Sequence, residues 1–596
     1  MRAGRNHVRI GGAAGFWGDS ALGPRQLLDG GDLDYLVFDY LAELTMSLLA
    51  AARRKQHELG YATDFIDVMR DVLGDALARG VRIVANAGGI NPQGCAAALR
   101  ALAAEQGLAP RIAVVEGDDV SSLLPALRAE GVELPATVLS ANAYLGALPI
   151  KAALDAGADV VITGRCVDSA VTLGALMHEF GWAPDDYDLL AAGSLAGHLI
   201  ECGCQGSGGL FTDWEDVPDW ANSGYPVVEC RADGSFVLGK PEGTGGLVAP
   251  AVAAEQLLYE IGDPSRYLLP DVVCDFTAVT LQANGPQRVL VQGARGQAPT
   301  PTYKVSATYA DGFRSAAQLT VVGHDAGRKA RRSAEAILAR TRAMFARTGL
   351  SDYSATHIDI LGAAEGFGQA VMWLAVAHPQ RAALELFARE IAPAGTSWAP
   401  GTTGFGGRPS VSPAIKQFSF LLEKTRLSPI VHLPDGTTAQ PVSHHGVRPH
   451  AGHGLERSSG LQPSTCQPEG LTPRCDTSPT GEGWRRVPLI ELAWARSGDK
   501  GDTSNIGVIA RHPDDLPLLR EQLTPDAVAA YLADKVRGAV TRYELPGIHA
   551  FNFVCEQALG GGGMASLRHD PLGKGMAQWL LAMPVAVPPN FTSRRT

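Results

Sequence analysis

Cysteine is scarce and scattered: nine in 596 residues, an odd number, with Cys95, Cys166, Cys230, Cys274 and Cys555 in apolar or glycine-rich surroundings. That argues against a disulfide framework and for reduced thiols in a cytoplasmic compartment. No apolar stretch reaches the roughly 18 to 20 residues that a membrane-spanning helix needs. No lysine- and arginine-rich run breaks a formal net charge of -11, so neither nucleic acid nor a membrane is expected as a partner. Arg2 and Arg5 lead into a glycine-rich turn ending in Asp19 instead of an apolar run, and no secretory signal is expected. Internal repeats are lacking too.

What is present is length and apolar content. With 45% hydrophobic and 19% charged positions over 596 residues, two or three domains with large cores are expected. From residue 7 to about 200, short apolar runs alternate with segments of helical period, the rhythm of a parallel sheet with flanking helices. Strands are expected at His7 to Ile10, Arg82 to Ala85, Arg111 to Val115 and Asp159 to Thr163, with helices at Phe65 to Leu77 and Gln93 to Glu105. The fold class expected is therefore α/β, a mostly parallel sheet in the large N-terminal region (7–440), its later part more mixed. A Ser, Pro, Gly and His-rich stretch (441–485) reads as a flexible linker. It holds His444, His445, His450, His453, Cys466 and Cys475, whose irregular spacing favours a linker over a zinc site. A small α+β domain (486–588) follows.

Ligands of open parallel sheets bind outside the carboxyl ends of the strands, so the turns there are the places to seek chemistry. Gly11 to Asp19 follows the first strand, and its amides could line an anion or merely make a tight turn. It lacks the Gly-x-Gly-x-x-Gly and P-loop spacings, and Asp19 would repel a phosphate unless a cation intervened. Asp39 and Glu43 fall four apart, on one face if a helix starts near Tyr40; they are either an acid/base pair or a solvated helix start capped by Asp39. Asn86 to Pro92 places Asn86, Gly88 and Gly89 at a second strand end. Gly164 to Ser169 offers Arg165 and Asp168, as a carboxylate clamp or an internal ion pair. His198 and Glu201, one helical turn apart, could relay protons, while a metal there would need more ligands. Arg408 sits in the glycine-rich loop 401–409, and the turn Arg496 to Asn505 packs both charge signs after a strand.

Taken together, Gly-Gly-Ala-Ala-Gly-Phe-Trp-Gly-Asp (11–19), Asp-Tyr-Leu-Val-Phe-Asp-Tyr-Leu-Ala-Glu (34–43), Asn-Ala-Gly-Gly-Ile-Asn-Pro (86–92) and Thr-Gly-Arg-Cys-Val-Asp-Ser (163–169) resemble the acyclic terpene utilisation (AtuA) family. The Arg496 to Asn505 turn, with Gly560 to Gly563 and Arg568, resembles the ferredoxin-like C-terminal domain often fused to it. The 441–485 linker departs from that pattern, as does Cys204, where a small residue is expected.

The resemblance implies catabolism of acyclic terpenes such as citronellol and geraniol, with acyl-CoA as substrate or ligand and acyl-CoA carboxylase pathway proteins as partners. A homo-oligomer is expected. The leading expectation is a hydratase or lyase on a branched acyl-CoA, with Asp39, Glu43, Arg165 and Glu201 as catalytic candidates. Gly12, Gly15, Asp19, Asn86, Gly88, Gly89, Asp168 and Arg408 are the ligand-binding candidates, and no metal site is assigned. The alternatives are a non-catalytic acyl-CoA-binding or assembly subunit and a metal-dependent, phosphate-handling hydrolase using Asp19 and Asp39.

Overall fold

The computed structural model describes residues 6–30, 32–363, 365–440 and 483–595. The linker residues His444, His445, His450, His453, Cys466 and Cys475 lie outside them.

The N-terminal part is built from β1 (His7–Ala14), α1 (Leu22–Asp29), β2 (Tyr35–Phe38), α2 (Glu43–Lys55), α3 (Asp64–Arg79), β3 (Arg82–Ala85), α4 (Pro92–Glu105) and β4 (Ile112–Glu116). It continues through α5 (Leu124–Ala129), β5 (Ser140–Ala143), α6 (Leu148–Asp155), β6 (Val160–Thr163), α7 (Ala170–Phe180) and α8 (Tyr187–Ile200). Strands such as Tyr35-Leu36-Val37-Phe38 are buried on both faces, which is why they read as unbroken apolar runs. Local signals set the helix ends. α3 carries Asp64 and Asp67 in its first turn and stops at Gly80, whose φ of 66° suits a residue without Cβ. In α4, Pro92 opens the helix and the Asn91 carboxamide accepts the Gly94 N–H at 3.1 Å.

β1, β2, β3, β6 and β4 lie side by side in that order, all parallel. The chain steps outward from β1 to β3, skips one place to β4, then returns to β6. Right-handed crossovers therefore put α1, α3 and α4 on one face, around Leu27, Phe65, Met69 and Leu99, and α6, α7 and α8 on the other, around Ile150, Leu173 and Leu195. The reversal beside β6 opens a crevice at the carboxyl ends of the strands.

The sheet as a whole is mixed, not mostly parallel. β7 (Val227–Arg231) and β8 (Phe236–Gly239) extend it antiparallel beyond β1, and strands 280–283, 289–292, 430–432 and 438–439 complete eleven strands. Hairpins join β7 to β8, 280–283 to 289–292 and 430–432 to 438–439, each necessarily antiparallel, and these pairs add to the edges of the parallel core. A second, antiparallel sheet is organised on the long strand Thr302–His324, which also pairs with β5, and is backed by the helix Ala326–Thr348.

The small domain is a four-stranded antiparallel sheet of Ala493–Lys500, Thr503–Ala510, Ala550–Cys555 and Val540–Leu545. It docks on α9 (Pro250–Leu257) and the residues after it. Gly498 and Gly507 permit the approach: a Cβ on them would come within 2.6 Å of Glu260 and 2.5 Å of Leu258. Arg496 pairs with Glu255 at 3.1 Å, the side chains 4% and 0% exposed, and also donates to the Gly209 carbonyl at 2.8 Å. Asn505 Nδ2 donates to the Leu258 carbonyl at 2.6 Å, and Arg511 clamps Asp213 at 2.5 and 2.6 Å.

Candidate functional site

The crevice collects the ends of many elements. β2 delivers Asp39, β3 delivers Asn86, and the turn between β6 and α7 delivers Arg165 and Asp168. The Asn86 carboxamide fixes the first of these: its oxygen accepts the Tyr40 N–H at 2.7 Å while its nitrogen donates to Asp39. The helix does not start near Tyr40 as the sequence suggested. Residues 39–42 stay extended or turned, α2 begins at Glu43, and Asp39 accepts the Leu41 N–H at 3.3 Å instead of capping a helix. Asp39 and Glu43 still converge, but through the turn.

Arg165 lies against the Tyr144 ring, 4.3 Å from its centroid, with Lys304 from the long strand 5.1 Å from the same ring. The guanidinium donates to the Leu41 carbonyl and, at 3.0 Å, to Asp168. Tyr144 Oη donates to Glu43, which also lies 3.9 Å from Lys304. His198 and Glu201 enter from the end of α8, with His198 Nδ1 3.0 Å from Glu201.

Charge states differ sharply among these carboxyl groups. Burial and then the Asp168 carboxylate push Asp39 well above the usual carboxylate range, against Arg165. Burial followed by Asp168 and Glu260 does the same to Glu201. Glu43 resists burial because Arg165, Lys304 and Tyr144 favour its anion, and it sits at about 2. It is a pinned counter-charge, unsuited to taking up a proton near neutrality. Asp39, Asn86, Arg165 and His198 form a buried floor. Around them Glu43, Glu260, Asp168 and Lys304 keep 28%, 32%, 37% and 44% of their side-chain surface open, so a ligand can reach the charges.

Sequence reasoning missed several members. Glu260 follows α9 in a left-handed conformation, φ 58°, its N–H held by Asn505 Oδ1 of the small domain at 3.0 Å. Burial pushes its carboxyl up to about 7, with Lys500 opposing. A strained residue whose pKa is shifted to neutrality suits proton transfer. Lys500 and Asp499 come from the hairpin tip of the small domain, where burial and then Glu260 raise Asp499 to about 7. Asp118, buried under the Arg165 N–H and Asn142 at 2.9 and 2.8 Å, is also raised by burial to about 7. Asp118 stands just after the strand expected at Arg111 to Val115 and Lys500 in the Arg496 to Asn505 turn; Lys304 and Glu260 carried no local signal.

Other candidates are placed elsewhere. Asp19 accepts the N–H groups of Gly15 and Ser20 and the Tyr225 hydroxyl, at 2.9, 2.7 and 2.7 Å, and lines a separate cavity of about 180 Å³ with Tyr40 and Asp64. The glycines have a packing task. A Cβ on Gly12 would lie 2.3 Å from the Ile200 carbonyl oxygen, one on Gly15 2.6 Å from Cys202, one on Gly88 2.5 Å from the Thr163 oxygen and one on Gly89 2.4 Å from Leu49. The Gly12 and Gly15 amides donate to the Pro226 carbonyl and the Asp19 carboxylate, so those N–H groups are already used within the chain and do not line a site for a ligand anion. Cys204 is a half-buried thiol against Ser223. Arg408 is exposed on the loop between the strands 402–405 and 412–423. Among the described residues no group of three or more His, Cys, Asp or Glu is arranged to hold a metal, and no helix is long and apolar enough to cross a membrane. A larger cavity, about 770 Å³, has a different lining, and its Arg568, Lys535 and Lys416 already serve backbone carbonyls or Asp534 and Asp311.

Fold and site together define an α/β protein with a carboxylate-rich crevice at its strand ends, completed by a small antiparallel domain. Residues 8–433 match the sequence model of the acyclic terpene utilisation family protein AtuA, and residues 487–586 match the AtuA ferredoxin-like domain. The chain belongs to the AtuA family. No curated protein and no solved structure matches it.

Proposed function

We propose that this chain is an enzyme of acyclic terpene or branched acyl-CoA breakdown that adds or removes water at a branched acyl thioester. The single observation that carries the reading is the division of carboxyl groups around Arg165: Glu43 is pinned as an anion, Asp39 and Glu201 are pushed toward the protonated form, and Glu260 titrates near neutrality. Environments that drive neighbouring carboxyls apart are how acid and base roles are assigned.

In the hydration direction Glu260 takes a proton from water as the oxygen bonds to one alkene carbon. A protonated carboxyl, Asp39 or Glu201, supplies the proton to the other carbon, and Arg165 faces the polarised thioester oxygen. Dehydration reverses each transfer, and no redox partner is needed.

The test is a coupled measurement on purified protein: loss of enoyl absorbance with a branched enoyl-CoA, and ligand binding by thermal shift. Asp39→Asn is expected to abolish turnover while binding persists. Ligand binding with no loss of enoyl absorbance in the unmodified protein would overturn the reading in favour of a non-catalytic acyl-CoA-binding subunit, and unchanged turnover in Asp39→Asn would leave Glu201 as the acid.

A further inference from the structure

A second opening runs between the two domains beside the crevice. Its cavity, about 530 Å³, is of small-molecule size. Phe211, Trp214 and Trp220 form one wall, and Ala577 and Gln578 of the small domain's helix Met576–Leu581 form the other. At the mouth Leu210, Trp214 and Trp220 remain 67%, 56% and 62% exposed, and the two indoles meet edge to face at 5.9 Å. Leu210 is held there in the left-handed region, φ 61°, a strain that a leucine rarely accepts.

Most polar groups of the wall are already occupied. Arg496 serves Glu255, Gln205, Gln256 and Gly209, Thr212 Oγ1 donates to the Ala495 carbonyl, and Ser497 Oγ donates to that of Gly573. What the cavity offers a ligand is apolar surface and one cation, Lys574. Its Nζ donates to the Tyr259 hydroxyl and lies 3.9 Å from Glu260, a member of the carboxylate cluster. The segment from Glu201 to Thr212 runs from the cluster to the cavity wall.

We propose that this cavity is the apolar-chain subsite of the catalytic centre, taking the hydrocarbon tail of an acyl carboxylate or thioester whose head passes Lys574 to reach Glu260 and Glu201. It rests on the enzymatic reading above. Rings and aliphatic groups, beside polar atoms that are mostly paired already, favour a hydrocarbon over a sugar or nucleotide, and the Lys574 ammonium, held between Tyr259 and Glu260, complements an acyl anion.

The experiment is a tryptophan-fluorescence titration of the full chain with decanoate, and with acetate as the control. Decanoate is expected to perturb the emission saturably and acetate to leave it unchanged. Leu210→Asp at the rim and Gln578→Phe in the wall, both at exposed positions, are each expected to weaken decanoate about tenfold at unchanged melting temperature. Equal responses to decanoate and acetate, or decanoate binding that ignores both variants, overturn the subsite while leaving the enoyl-CoA assay standing. Decanoate binding that maps to the cavity in a protein with no enoyl-CoA turnover overturns the enzymatic reading, and with it the link to a catalytic centre, instead.

Discussion

His198 Nδ1 lies 3.0 Å from Glu201 Oε1, while its Nε2 lies 3.2 Å from the Leu257 carbonyl oxygen. A carbonyl can only accept, so Nε2 carries the ring proton and Nδ1 is left as the acceptor. Glu201 is then the donor and must be protonated, the direction in which burial and Asp168 push it. Burial holds the imidazole neutral by lowering it to about 4. The pair is a neutral acid hydrogen-bonded to a neutral ring.

Glu201→Gln keeps a donor toward His198 and removes the ionisation. Because the folded pKa of Glu201 is raised, its contribution to stability is full below the usual glutamate range and is lost as pH rises through the raised value. His198 has the opposite sign: its contribution is full above 6.5 and is lost as pH falls toward about 4. Melting curves from about pH 5 to about pH 9 are therefore expected to show the variant matching the parent in acid and gaining on it in alkali. Superimposed alkaline curves would refute the protonated pair.

Turnover is expected to depend on Glu260. Hydration needs this group deprotonated, so the rate should rise with pH through about 7. Glu260→Gln should lower the rate about 10²- to 10⁴-fold and remove that limb. Asp499→Asn is the control, since Asp499 also sits at about 7. If the limb vanishes in the Asp499 variant and survives in Glu260→Gln, the base has been misassigned.

Arg496→Ala leaves Glu255 buried without its partner at 3.1 Å. Breaking a pair this buried costs about 3–5 kcal/mol. Denaturant unfolding should show that loss, with the small domain more open to proteolysis. Arg496→Lys is expected to rescue little, because one ammonium cannot reproduce the fork to Glu255, Gln256 and Gly209.

Gly12→Ala puts a methyl group 2.3 Å from the Ile200 carbonyl oxygen, a backbone atom that cannot swing aside. The expected cost is about 1–3 kcal/mol, and the displaced segment carries Glu201 with it. Activity should fall further than melting temperature alone explains; parent-like kinetics would show that the segment tolerates displacement.

The small C-terminal domain makes the site a two-part object. Asn505 holds the backbone of Glu260, and the hairpin beside it carries Lys500 toward Tyr267, 5.8 Å from the ring centroid. The sequence marked the Arg496 to Asn505 turn as one that packs both charge signs after a strand. Arg496 forms an ion pair across to the large domain, and Lys500 faces the cluster.

The sequence alone determined what local physics controls. Apolar runs bounded by glycine and asparagine located β1, β3, β4 and β6, and the turns after β3 and β6 held Asn86, Arg165 and Asp168, because a strand end must present its next side chains to the crevice; Asp39 was singled out by its spacing from Glu43, at the end of β2, a strand the sequence had not marked. It also exposed the motifs that mark the AtuA family. Tertiary structure alone decided the rest. The antiparallel edges of the large sheet, the packing role of Gly12 and Gly15 against residues 200–203, and the arrival of Tyr144, Lys304, Glu260 and Lys500 all depend on pairings between distant segments. So do the charge states: a carboxyl's pKa is set by burial and by neighbours that reach it through the fold, and for Asp39 those are Asp168, Arg165 and Glu201.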